Sequence, residues 1–91
     1  MRFYIDPRTG EPHLRRHGLT EEEAEEVLSK PAEDRLGTEG ARVAIGRTAA
    51  GRVLRVIYVR DPDGDEAFVV TSYELTLKAL AAFRRRRRRK K

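Results

Sequence analysis

Between Val53 and Val59 the chain places Val53, Ile57 and Val59 on one parity of an extended strand and Leu54, Val56 and Tyr58 on the other. A strand apolar on both faces belongs at the centre of a sheet. The flanking runs Arg42 to Thr48 and Glu66 to Tyr73 read as its two neighbours, so residues 42–73 are expected to form a three-stranded meander. Ala49-Ala50-Gly51 and Asp61-Pro62-Asp63-Gly64-Asp65 are its turns, since Gly and Asp tolerate the positive φ that tight connections demand.

The elements around this meander are shorter. Arg2 to Asp6 reads as a strand with Phe3 and Ile5 on one face, ended by Asp6-Pro7. After the turn Arg8-Thr9-Gly10, Pro12 suits the first position of a short helix over His13 to His17, with Gly18 as its cap. Thr20 and Glu23 form a capping box, and Leu19 with Ala24 the matching hydrophobic staple. They start a helix from Glu21 to about Ser29, with Ala24, Val27 and Leu28 as its apolar stripe and Lys30-Pro31 as its stop. Residues 31–41 read as a loop with at most a short edge strand. From Thr76, the residues Leu77, Leu80, Ala81 and Phe83 recur at helical spacing, and the Arg-rich run beyond them can prolong that helix. The expected architecture is α+β: a mainly antiparallel sheet of about four strands, packed by N-terminal helices and a C-terminal helix.

The 91 residues allow one core, expected within residues 1–83, followed by a basic tail over 84–91. That tail holds eight of the 20 Lys and Arg, leaving 12 against 15 Asp and Glu in the body. The overall charge of +5 is thus a property of the tail, and the body alone carries −3. A block of like charges repels itself unless solvated or neutralised, which suits it to a polyanion. Arg84, Arg85, Arg86, Arg87, Arg88, Arg89, Lys90 and Lys91 are its candidate contacts, with a merely solubilising tail as the plain alternative. The absence of Cys excludes disulfides and thiolate metal sites. No apolar stretch approaches the roughly 18 residues of a membrane span, and Met1 precedes a polar opening, so a cytoplasmic protein with no membrane partner is expected.

Several short motifs, in this order, resemble BrnT, a toxin of the RelE-like fold from bacterial toxin-antitoxin pairs, and the small domains grouped beside it. Phe3-Tyr4-Ile5-Asp6-Pro7 looks like the family's first strand and its Asp-Pro step. Arg16-His17-Gly18-Leu19 looks like its Lys-His-Gly-Val turn, and Glu22-Glu23-Ala24 continues the likeness. Arg42-Val43-Ala44-Ile45-Gly46 is similar to its Arg-x-x-x-Ile-Gly strand, and Val53 to Val59 to its apolar middle strand. The family's Ile-Ser-Ala-Arg corresponds here to Val70-Thr71-Ser72-Tyr73, so Tyr73 stands where the family has an Arg. The resemblance implies a ribonuclease that acts without metal or cofactor, an RNA substrate, a cognate antitoxin with an acidic surface, and contact with DNA through the antitoxin complex.

Metal-free RNA cleavage needs a base for the 2′-hydroxyl proton, cations for the phosphorane and an acid for the leaving oxygen. His13, Arg16 and His17 are the candidate catalytic residues: the two His are four apart and exchange protons near neutral pH, and Arg16 lies beside them. The plain alternative is that His17 packs at a helix end before Gly18, and no further ligand motif makes the pair a metal site. Arg42, Arg55 and Arg60 are candidate phosphate ligands, because a guanidinium fork meets two oxygens at once. Arg55 interrupts an apolar face, where pairing with Glu66 or another acid across the sheet is the alternative. Tyr73 is a candidate to stack on a base or donate a hydrogen bond, or else packs at a strand end. The outcome left open beside a nuclease is a non-catalytic module that holds nucleic acid or an acidic protein.

Overall fold

The computed structural model describes residues 1–62, 64 and 66–89. Asp63 and Asp65 of the expected turn, and Lys90 and Lys91 of the basic run, lie outside the described residues. The chain forms β1 (Arg2–Phe3), β2 (Ile5–Asp6), β3 (Glu11–Pro12), a 3-10 helix (His13–His17), α1 (Glu21–Ser29), β4 (Glu33–Leu36), β5 (Arg42–Arg47), β6 (Val53–Arg60), β7 (Ala67–Glu74) and α2 (Leu77–Arg89).

Five strands make one mixed sheet in the order β1-β7-β6-β5-β4, which puts the doubly apolar β6 at its centre. The three pairings from β4 to β7 are antiparallel, and β1 joins the far edge parallel to β7, opposite Phe68 and Val69. The expected sheet of about four strands is therefore exceeded: β4 is the short edge strand that the reading of residues 31–41 left open. Its four residues, Glu-Asp-Arg-Leu, offer no alternation to read; pairing with β5 makes them a strand.

One parity of β6 faces a core along its length, whereas of the other only Val53 is buried in a second core, Ile57 being half-buried and Val59 exposed. Leu54, Val56 and Tyr58, with Ala44 of β5 and Val69 of β7, pack against Leu14, Leu19, Ala24 and Val27 from the 3-10 helix and α1. A bulge beside Ile57 and Tyr58 shifts the parity of β7, so that Ser72 and Val69 share this face. Gly46 lets α1 approach β5, because a Cβ there would stand 3.3 Å from Val27 Cγ1. On the other face Ile45 and Val53 pack with Leu75 and Phe83 as α2 crosses the sheet.

The capping box forms as the sequence leads one to expect: Thr20 Oγ1 accepts from the Glu23 backbone N–H at 3.2 Å, and Glu23 Oε1 accepts from that of Thr20 at 3.0 Å. Two local expectations are corrected. The opening strand does not run through Asp6, because Tyr4 changes partners: its N–H donates to Val69 of the main sheet at 2.8 Å, while its carbonyl accepts from His13 at 3.0 Å. Ile5 and Asp6 then pair with Pro12 and Glu11 in a separate hairpin, and Ile5 is exposed where it was expected beside Phe3. In α2, Leu77 does not join the apolar stripe; it starts the helix at φ 43° and is 86% exposed. Leu75, in the preceding turn, fills that place under the helix instead. Among the described residues no helix is long and apolar enough to cross a membrane.

Candidate functional site

The 3-10 helix has one buried residue, Leu14, which ties it to the core, and its other side chains are left on the surface. It lies alongside β7, which β1 pairs only at Phe68 and Val69. Gly18 ends it in the left-handed conformation at φ 75°, donating its N–H to the Arg15 carbonyl at 3.1 Å, as a C-terminal Gly does in many helices. Residues four apart diverge by about a third of a turn in a 3-10 helix. The His13 and His17 rings nevertheless meet edge to face with centroids 5.5 Å apart.

The hairpin of β2 and β3 places a carboxylate beside this pair. Asp6 is 2% exposed, and its Oδ1 accepts the Arg8 backbone N–H at 2.9 Å in an Asx turn. Three cationic or protonatable groups surround it: Arg8 Nε at 3.4 Å, His13 Nδ1 at 3.6 Å and Arg16 Nη1 at 3.6 Å. The Arg8 backbone N–H holds the Asp6 carboxyl below its ordinary range against the opposing effect of burial, helped by the Arg8 side chain and by the charges of Arg8 and Arg16.

From His17 the array continues onto the sheet. The Tyr73 ring lies 6.0 Å from that of His17, and Arg55 donates from Nη1 to Tyr73 Oη at 3.2 Å. Its guanidinium carbon sits 5.7 Å from the ring centroid. Because the phenol oxygen accepts from Arg55, its own proton remains available to a ligand. Tyr4 closes the other end, 6.2 Å from His13. Tyr4, His13, His17, Tyr73 and Arg55 thus form one continuous row, with Asp6 and Arg16 behind its first members.

Comparison of the chain with family models, curated proteins and solved structures finds no match.

The structure brings together five of the candidates named from sequence: His13, Arg16, His17, Arg55 and Tyr73. It separates Arg42 and Arg60 from them. Arg55 lies opposite Ile45 and Tyr73 on the α2 face, whereas Arg42 lies opposite Tyr58 on the α1 face. Arg42 pairs with Asp34 at 3.1 Å, and its proton is held more tightly by the Tyr58 hydroxyl and by Asp34. Arg60 caps the ring of the same Tyr58 at 5.4 Å. A cleft of about 420 Å³ includes Arg60 but also Glu25 and Glu66, and it shares no residue with the row. Arg55 does not pair with Glu66, which binds the Met1 amino group at 2.9 Å.

Asp6 and Tyr4 are the members that sequence reasoning missed. The Asp-Pro-Arg step signals an Asx turn, but Ile5 gives no hint that the following Asp is enclosed. Among the described residues no group of three or more His, Cys, Asp or Glu could hold a metal ion.

Proposed function

We propose that this chain is a BrnT-like toxin that binds RNA and cleaves it as a metal-independent endoribonuclease in the cytoplasm. The observation that carries the proposal is the row itself: two imidazoles 5.5 Å apart, one beside a buried carboxylate, with Arg16 and Arg55 at their flanks. In this scheme Nε2 of His13 takes the 2′-hydroxyl proton, and that oxygen attacks the adjacent phosphorus. Arg16 and Arg55 stabilise the phosphorane oxygens. Protonated His17 gives its proton to the departing 5′ oxygen, leaving a 2′,3′-cyclic phosphate and a 5′-hydroxyl. Tyr73 stacks on a base or donates to the phosphate. Arg42 and Arg60, on the other face, take no part. The protein partner is a cognate antitoxin with an acidic surface, and contact with DNA comes through that complex.

The test is mixed RNA incubated with the purified protein in EDTA, beside His13→Ala and His17→Ala. The expected result is cyclic-phosphate ends in the unsubstituted protein and cleavage at least about 100-fold slower in either variant. Undiminished cleavage in His17→Ala overturns the acid assignment. Intact RNA in every lane, with salt-dependent binding, assigns the alternative: a non-catalytic module that holds nucleic acid or an acidic protein.

A further inference from the structure

The six arginines from Arg84 to Arg89 are a uniform run in sequence, yet the helix sorts them into two sets. At 100° per residue, Arg84 and Arg88 form one row and Arg85 and Arg89 the adjacent one, and all four are exposed. Arg86 and Arg87 flank the Phe83 side of the helix, Arg86 half-buried and Arg87 still exposed. Arg86 binds Glu33 through two nitrogens, at 2.8 and 3.1 Å, and that pairing holds its proton more tightly. Arg87 donates to the Ala32 carbonyl at 3.1 Å. With Phe83 buried at 4% exposure, these contacts fix the rotation of α2 about its axis, so the outward stripe has a set direction.

We infer that α2 is an ordered rail for the paired segment of a folded nucleic acid, in which Arg84, Arg85, Arg88 and Arg89 contact phosphates while Arg86 and Arg87 anchor the rail to the sheet. It rests on the proposed nucleic-acid partner, not on cleavage. Charge density chooses the occupant. From Arg84 to Arg89 the helix rises about 7.5 Å, so the stripe presents four positive charges over that length. A duplex carries one phosphate per about 1.7 Å of axis, or roughly four over the same distance, whereas a single strand carries roughly two. Paired strands therefore neutralise the stripe fully, and a single strand leaves half of it repelling itself. Since α2 begins four positions after Tyr73, a stem on the rail and an unpaired segment at the His row can belong to one RNA.

The experiment compares variants of equal charge. Arg84→Gln/Arg88→Gln removes two outward cations, and Arg86→Gln/Arg87→Gln, the inner pair, removes the two anchors. Binding is read by fluorescence anisotropy across a salt series, with a 2′-O-methyl RNA hairpin and an unpaired 2′-O-methyl strand. Neither probe has a 2′-hydroxyl to react, so failure of cleavage and failure of the rail are distinguished. The outer pair is expected to lower the slope of log K against log salt by about 1.8 on the hairpin, while the inner pair lowers the thermal midpoint and leaves the slope nearly unchanged. Arg87→Gln alone leaves the Arg86–Glu33 pair intact and should leave the slope nearly unchanged, which keeps the comparison decisive if the inner pair fails to fold. Equal slope losses for outer and inner pairs overturn the rail in favour of an unstructured arm. Binding of the unpaired strand, or of poly-glutamate, as tight as that of the hairpin overturns the assigned occupant.

Discussion

Replacing Leu14 by Ala should loosen the candidate site before it unfolds anything else. A 3-10 helix of five residues has no stability of its own. Of its five residues only Leu14 is buried, at 1% exposure, in the cluster that also holds Leu19, Val27, Leu54 and Tyr58. Truncating a fully buried Leu costs about 2–5 kcal/mol, from lost transfer energy and the cavity left behind. A domain of this size has about 5–14 kcal/mol in all. At about 4–8 °C per kcal/mol, the midpoint should fall by at least about 8 °C. Urea titration followed by circular dichroism measures the loss, and Leu14→Met, which conserves volume, should cost less than about 1.5 kcal/mol. Well below the midpoint, the cleavage proposed above should fall as well, because Leu14 sits between His13 and the Arg16-His17 pair. A loss under about 1 kcal/mol for Leu14→Ala would refute the view that this side chain holds the helix to the core.

Asp6→Asn should change the response to acid. Because the Asp6 carboxyl is held below its ordinary value in the folded state, it contributes stability fully above about pH 3.9 and loses that contribution as the pH falls through the lowered value. The urea midpoint of the unsubstituted protein should therefore drop more steeply below about pH 4 than that of Asp6→Asn, and parallel curves would contradict the assignment. Tyr58→Phe removes a buried hydroxyl that donates to Asp34 Oδ2 at 2.7 Å. Since Asp34 is partly solvated, the loss should sit near the low end for a bond to a charged group, about 1.5 kcal/mol by urea titration.

The segments legible in sequence were those whose signals are local and redundant. The capping box and staple placed α1 from Glu21 to Ser29, with Lys30 as its C-cap. The double parity of Val53 to Val59 placed β6 at the centre, and the Arg-rich run continues α2 as far as Arg89. Where a segment's state depended on its partner, pattern failed. β4 has no periodicity but pairs along β5, and the opening strand breaks at Tyr4 because two different partners compete for its backbone.

For the site the division is similar. The chemistry of the His13, Arg16, His17, Arg55 and Tyr73 side chains is legible in the sequence. That they share one edge, while Arg42 and Arg60 turn to the other face around Tyr58, depends on strand register and on the bulge in β7, neither of which is written in any one segment. The burial of Asp6 and the sorting of six identical arginines into anchors and outward charges are likewise set by what packs against them. Side-chain type and hydrophobic period are properties of the chain alone. Which groups meet across 50 or more residues is decided when distant segments bury their apolar faces together, as Arg86 and Glu33 do only after α2 has crossed the sheet.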